Sequence, residues 1–342
     1  MTFTDPLSPV PASPSGRLPG LDILRGIAAL CVLALHVEWI FGLQPRAFAK
    51  GYLAVDLFFM LSGYVMARTY EPRLARGLTA TAFLWARYRR LWPVMAIGSL
   101  IGLPKLLIDS PDLAAFSLAG GLNLLLLPLP AKDLAFPLNI PAWSIFLELT
   151  ANLIHAAVLW RLGGRRLLMV VAIVLPLTVW AGMTHGDLDF GAHTEDYFFG
   201  VPRVLLSYVI GMMLWRWWKD TPPIAVPPIL AFLLLPAALV LARHFAVGGW
   251  LFDIAFIALF CPLLIIGGLR HGPRERPGWS LAAALGALSF PLYAVHMPVL
   301  QGMSLLGFGW LGGALAAAAA GIVVTLAVEA LGQQRKRVRM TA

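Results

Sequence analysis

Charge is what this sequence has least of. Asp, Glu, Lys and Arg make up 13% of its 342 residues, against roughly 25% in ordinary soluble domains. Acidic residues are the scarcer sign, 17 against 26 basic ones, for a formal charge of +9. Cysteine is nearly absent. Cys31 and Cys261 both lie inside apolar runs, which excludes a disulfide framework or a cysteine-built metal cluster. What is abundant is apolar: 59% of the residues are hydrophobic and the mean hydropathy is +0.79. Gly (32) and Pro (26) are scattered through these runs, unlike a coiled coil or a disordered chain. A polytopic membrane protein is the class that fits.

A spanning helix needs about 20 mostly apolar residues. Ten segments qualify, over 20–41, 51–69, 84–108, 142–160, 167–184, 200–218, 225–243, 249–268, 279–302 and 305–328. The fold expected is therefore all-α, with about ten transmembrane helices. Segment 113–129 is also apolar, but Asn123, two prolines and the flanking Asp112 and Lys132 mark it as re-entrant or interfacial. With the N-terminus in the cytoplasm, 20 Lys and Arg fall on the inner side and 6 on the outer, the latter being Arg46, Lys50, Lys105, Lys132, Arg203 and Arg243. This positive-inside bias predicts an N-in, C-in topology. An eleventh span at 113–129 would place Arg161–Arg166 and the 270–276 cluster outside. The basic excess thus reads as orientation, with no nucleic-acid partner.

Residues 1–19 are rich in Pro and Ser and read as a flexible cytoplasmic tail without the pattern of a cleaved signal peptide. Residues 20–330 form a single transmembrane domain, and 331–342 a basic cytoplasmic tail. The loop over 185–199 collects His185, Asp187, Asp189, His193, Glu195 and Asp196. Its spacing matches no metal site, and an acidic outer loop is the favoured reading.

Ionisable groups at membrane depth are costly, by about 2.5–3.5 kcal/mol at a helix centre, so each needs a reason. Arg25 and His36 are eleven residues apart on the first span. That is three helical turns, which puts both on one face with His36 about 16 Å further out. Asp22 lies one turn before Arg25 as a potential ion-pair partner. His36 alone reads equally as an interhelical hydrogen bond. On the second span Asp56, like His36, is ten residues from the hairpin centre near Arg46. A carboxylate level with an imidazole can fix its tautomer and raise its basicity, although contact depends on helix rotation. Glu148, early in an inward-running span, and His296, late in an outward-running one, are expected at the same depth. The four together imply a polar cavity opening to the outer side. On the inner side, Arg87 and Arg90 stand at i,i+3. Taken alone they are positive-inside anchors. With Arg25 and the outer cavity they suit a polyphosphate ligand entering from the cytoplasm.

In order, Arg25-x10-His36, Val55-Asp-Leu-Phe-Phe-Met-Leu-Ser-Gly63, Arg87-x-x-Arg90 with Leu91-Trp-Pro93, Trp143-Ser…Glu148, and Ser289…Tyr293…His296-Met-Pro298 resemble the acyltransferase-3 family of integral membrane acyltransferases. The resemblance runs from Leu21 to about Pro298. It implies a ten-helix core in the bacterial inner membrane. It implies transfer of an acyl group, usually acetyl, from cytoplasmic acyl-CoA to a saccharide hydroxyl at or beyond the membrane. Acyl-CoA is then a co-substrate, and no bound cofactor or metal is expected. By position, His36 looks like the catalytic histidine, Arg25 its motif partner, and Arg87 and Arg90 the arginines implicated with the acyl-CoA donor; from the residues themselves, Asp56 is expected to orient His36 and Arg25 to hold donor phosphates with Arg87 and Arg90. Glu148, His296, Trp143 and Tyr293 fall on the acceptor side or in support of His36. The sequence departs from the family pattern at Phe290, where tyrosine is common, and at Leu149–Thr150, where a more polar stretch often follows the glutamate. Those departures bear on the acceptor. The rival readings are a proton-coupled secondary transporter, although no internal repeat is visible, and a glycan or lipid flippase without chemistry.

Overall fold

The computed structural model describes residues 16–110, 112–130, 133–244, 249–270 and 279–341. Expectations for residues 1–15, for Lys132, Arg274 and Arg276, and for the side chains from Arg335 onward lie outside the described residues. Within them the chain is helical, with one isolated bridge, Leu134 to His193, and no strand. The helices are α1 (Pro19–Ile40), α2 (Leu53–Leu74), α3 (Ala80–Asp109), α4 (Leu113–Leu124), α5 (Ala142–Ala157) and α6 (Gly164–His185). They continue as α7 (Gly200–Trp218), α8 (Pro228–Ala242), α9 (Gly249–Ala255), α10 (Cys261–Leu269), α11 (Trp279–Leu305) and α12 (Trp310–Thr341). A π-helical turn, Phe256–Phe260, joins α9 to α10.

A helix lies in each of the ten intervals expected to span. Among the described residues, seven stretches are long and apolar enough to cross a membrane, including Pro19–Ile40, Ala80–Asp109 and the joined α9–α10 stretch Gly249–Leu269. The other three expected spans are α2, which is 22 residues long but carries Asp56, Arg68, Glu71 and Arg73, and α5 and α8, of 16 and 15 residues. At 1.5 Å per residue α5 and α8 reach about 24 and 23 Å, short of the ~30 Å hydrocarbon core. Segment 113–129 forms the 12-residue α4, about 18 Å long, and then turns back. Asn123 fastens that return: its side chain donates to the carbonyls of Leu127 and Ala135 and accepts from the Leu138 amide.

Local chemistry sets the helix ends. Pro19 and Pro228 occupy the first helical turns of α1 and α8, where a missing N–H costs nothing. Thr79 and Asp112 cap α3 and α4 by accepting from the amides of Ala82 and Ala115, the usual role of these residue types. Gly186 closes α6 at φ 88°, a left-handed conformation that favours glycine.

Glycine also lets backbones approach where polar atoms must meet. A Cβ on Gly63 would lie 2.0 Å from the Tyr208 carbonyl oxygen, and one on Gly211 would lie 2.0 Å from that of Met60. The α2–α7 contact is thus a reciprocal small-residue seam. α3 meets α11 similarly at Gly98, and Asn139 donates to the Ala294 carbonyl at the same place. α11 packs against α1, α3 and α12, so it is central to the bundle. The outer faces of α6, α8 and α12 expose Met169, Ile173, Leu177, Leu233, Leu315 and Leu326, an apolar belt suited to lipid.

The α2–α7 seam gives a direct stability test. Gly211→Ala forces a methyl group into the Met60 carbonyl, and overpacking of this kind costs about 1–3 kcal/mol. Gly302, with nothing within 4 Å of a Cβ, serves as the control. Thermal unfolding in detergent is expected to show a lower midpoint for Gly211→Ala and an unchanged or higher one for Gly302→Ala.

Candidate active site

α1, α2, α3, α5 and α11 enclose a chamber of about 260 Å³. Its walls are chemically divided. At one end stand Arg17, Arg25, Arg68, Arg87 and Arg90. At the other are Phe58, Phe59, Ser144, Phe290 and Tyr293. Two of the arginines are neutralised at the rim, Arg17 by Asp22 at 2.6 Å and Arg68 by Asp220 at 2.9 Å. Asp22 therefore pairs with Arg17, not with Arg25 as its i,i+3 spacing suggested. The other three arginines share a single carboxylate. Arg87 donates to Glu148 at 2.9 Å, and its buried Nε–H has no hydrogen-bond partner. Arg25 and Arg90 make no hydrogen bond or ion pair among the described residues. Three guanidiniums with one ion pair among them leave donors unspent, as an anion-binding site requires.

Glu148 belongs to this chamber. It accepts from Ser62 at 2.7 Å as well as from Arg87, so it is not level with His36 as the sequence suggested. Seven residues of α5 carry it about 10 Å along the helix from Pro141, which is enough to reach the arginine level.

His36 finds its expected setting with a different partner. Its Nδ1 lies 2.9 Å from Nε2 of His296, and the two rings are 4.9 Å apart. The hydrogen-bond pattern fixes both tautomers. Nδ1 of His296 faces the carbonyl oxygens of Leu292, at 3.1 Å, and Tyr293, at 2.8 Å. A carbonyl only accepts, so this nitrogen carries the proton and Nε2 is a lone pair. That lone pair accepts from Nδ1–H of His36. The His36 ring, which is half-buried, also hydrogen-bonds the Val32 backbone, and with its Nδ1 protonated its Nε2 is a lone pair. Such a nitrogen can accept a proton.

Asp56, expected to orient His36, is engaged elsewhere. It forms a completely buried ion pair with Arg203, Nη2 to Oδ2 at 2.7 Å and Nε to Oδ1 at 3.1 Å, and accepts from Ser207 at 3.2 Å. Arg203 spends its remaining donors on the carbonyls of Tyr52 at 3.2 Å, Phe190 at 3.2 Å, and Leu188. All five N–H groups are satisfied, so this pair is a scaffold with nothing to offer a ligand. Depth alone brought Asp56 and His36 together in the sequence; rotation of α2 turns the carboxylate to α7. Trp143, expected on the acceptor side, stacks 5.7 Å from the Arg203 guanidinium and edge-on to Phe59, outside the chamber wall. Tyr293 does line the chamber, with its hydroxyl 2.6 Å from that of Ser144.

Arg203 had been counted as an outer-loop charge. Its removal leaves five outer against twenty inner basic residues, so the bias survives. Asp253, unremarked in the eighth expected span, is also fully buried. Its carboxylate takes Lys50 at 3.0 Å, the Tyr52 hydroxyl at 2.7 Å and the Leu188 amide at 2.9 Å. One available signal was the need of each buried acid for a cation. Asp56 demanded a partner, and Arg203 with Ser207 one turn on was the matching pair on a neighbouring span.

Leaving one member of a buried ion pair alone costs about 3–5 kcal/mol, whereas replacing both by apolar groups is often tolerated. Arg203→Met is expected to abolish folded protein in detergent, as judged by monodisperse elution and thermal midpoint. The double variant Asp56→Leu with Arg203→Met should recover much of the lost stability.

The model of the acyltransferase-3 family, described as an acyltransferase domain, matches residues 18–331. "Protein 2 in picA locus" of Rhizobium radiobacter is 39% identical over 186 residues, 48% of this chain and 93% of that protein. Acyltransferase MdmB of Streptomyces mycarofaciens is 28% identical over 336 residues, covering 83% of this chain and 79% of its own. The exopolysaccharide production protein ExoZ of Rhizobium meliloti is 27% identical over 267 residues, with 73% and 76% covered. No solved structure matches. With residues 18–331 of the 342 matched, the protein belongs to the acyltransferase-3 family of membrane acyltransferases.

Proposed function

We propose that this protein is a membrane O-acyltransferase that moves an acetyl group from cytoplasmic acyl-CoA to a hydroxyl of a saccharide or glycoconjugate at the outer side of the bacterial inner membrane. The observation that carries this reading is the chamber itself. Three guanidiniums with one ion pair among them line one end, and the wall at the other end backs onto a histidine pair whose outer member has a nitrogen lone pair. The relative named as an exopolysaccharide production protein favours a saccharide as the acceptor, and the family resemblance favours acetyl as the group. In this reading ten helices span the bilayer with both termini in the cytoplasm, and the arginine end of the chamber faces the cytoplasm.

The chemistry follows from the geometry. Arg25, Arg87 and Arg90 hold the CoA phosphates, and the pantetheine arm carries the thioester past Glu148 and Ser62 towards Tyr293. His36 takes the proton of the acceptor hydroxyl on Nε2 as that oxygen attacks the thioester carbonyl. His296 holds the His36 ring and keeps its Nδ1 protonated, the role first expected of Asp56. Glu148 spaces the arginines and limits their repulsion. No bound cofactor takes part.

Two measurements test this reading. Membranes with wild-type protein, supplied with acetyl-CoA labelled in the acetyl group, should release free CoA and move label into saccharide material. His36→Ala at matched abundance should lose about 10²–10⁴-fold of that rate, the span of a lost general base; full activity in His36→Ala contradicts the assignment. Arg90→Gln, at an exposed site outside the core packing, is expected to raise KM for acetyl-CoA about tenfold, corresponding to ~1.4 kcal/mol of charge-assisted binding.

A further inference from the structure

Acyl transfer needs more than a base. As the acceptor oxygen attacks, negative charge develops on the thioester carbonyl oxygen, and a hydrogen-bond donor placed there is among the largest contributions an enzyme can make. The arginines occupy the opposite end of the chamber from the histidine pair. The donor for this oxygen must come from the wall between chamber and histidines, where hydroxyls are the polar hydrogens on offer.

The chamber is lined by four hydroxyls, of Ser62, Ser144, Ser289 and Tyr293, and three of their protons are committed. Ser62 donates to the Glu148 carboxylate at 2.7 Å, Ser289 to the Gly286 carbonyl at 2.9 Å, and Ser144 to the Pro141 carbonyl at 2.9 Å. Each of these acceptors would lose a bond if the proton turned away. Tyr293 differs. Its hydroxyl lies 2.6 Å from that of Ser144 and 3.4 Å from the Pro141 carbonyl; with the Ser144 proton on Pro141, the Tyr293 O–H is the donor to the Ser144 oxygen. Ser144 keeps its own bond to Pro141 whether or not Tyr293 donates to it. The Tyr293 proton is therefore the one that can be redirected to an incoming oxygen with no buried acceptor left bare. It is also the one beside the base. Tyr293 and His296 stand at i,i+3 on α11 with rings 5.7 Å apart, and His296 carries His36. Phe58 packs edge-on against the Tyr293 ring at 5.9 Å and holds it at the boundary.

We propose that Tyr293 is a catalytic residue that donates its hydroxyl hydrogen bond to the thioester carbonyl oxygen in the transition state. The assignment rests on the acyltransferase reading above. The acceptor oxygen forms a bond to the carbonyl carbon, the carbonyl π pair moves onto the oxygen held by Tyr293, and the acceptor's proton passes to Nε2 of His36. When that electron pair returns, the C–S bond breaks, and the CoA sulfur takes the proton back from His36. The products are the acetyl ester and CoA thiol, with Tyr293 unchanged.

The test compares Tyr293→Phe with Ser144→Ala in purified protein, with CoA release measured against acetyl-CoA concentration. Both variants delete the same hydrogen bond, but only Tyr293→Phe removes the donor. Tyr293→Phe is expected to lower kcat by about 10²–10³-fold, as loss of one such donor does, with KM for acetyl-CoA within about threefold of wild type. Ser144→Ala should lose at least about tenfold less of kcat. Equal losses in the two variants would make the hydrogen bond structural and overturn the proposal. So would a Tyr293→Phe protein that keeps kcat, or one that loses only KM. Wild-type protein that releases no CoA from any acyl-CoA would instead remove the acyltransferase reading on which the proposal stands.

Discussion

One guanidinium determines how much of this molecule is arranged. Arg203 is completely buried, so all five of its N–H groups must be answered by protein. The answers come from four places: the Asp56 carboxylate in α2, the Tyr52 carbonyl at the start of α2, and the carbonyls of Leu188 and Phe190 in the loop after α6. The rotation of α2 about its axis is set by this demand. The same rotation lays Gly63 against Tyr208 and Gly211 against Met60, and it turns Phe58, Phe59 and Ser62 into the chamber. The outer loop is drawn down with it, and Trp143 is stacked on the guanidinium. The chamber's shape is thus a consequence of satisfying a charge that takes no part in the chemistry.

Arginines in this chain accordingly divide by saturation. Arg203 is complete. Arg216 is nearly so, paired with Glu71 at 2.6 Å and donating to the carbonyls of Leu159, Trp160 and Leu162 in and just after the 3-10 turn that follows α5. Arg25, Arg87 and Arg90 are left incomplete around Glu148. Saturated arginines organise the protein, and unsaturated ones are available to a ligand. Neither sequence position nor depth distinguishes the two kinds; only their partners do.

This explains what could be read from the sequence and what could not. The helices were legible because apolar length and composition report them, and the short α4 was legible because Asn123 and its prolines interrupt an otherwise spanning run. Arg25 and His36 both lie on α1, Arg25 in the chamber wall and His36 against His296 of α11. Pairings across helices were not legible. Asp56 and His296 were both placed near the depth of His36, yet only His296 meets it. Asp22 was given to Arg25 by its spacing, but it bonds Arg17. Each miss comes from helix rotation or chain entry angle, which no single segment encodes.

A second imidazole, and not a carboxylate, orients His36 as a base by accepting a hydrogen bond from its Nδ1–H. The most direct measurement is the turnover of His296→Leu and His296→Gln in purified protein of wild-type thermal stability. Leucine removes the acceptor and frees the His36 tautomer, whereas the glutamine side-chain oxygen can still accept. The account predicts a loss of about 10²-fold or more for His296→Leu, with His296→Gln retaining clearly more. Wild-type turnover in His296→Leu, or equal losses in both, would contradict it.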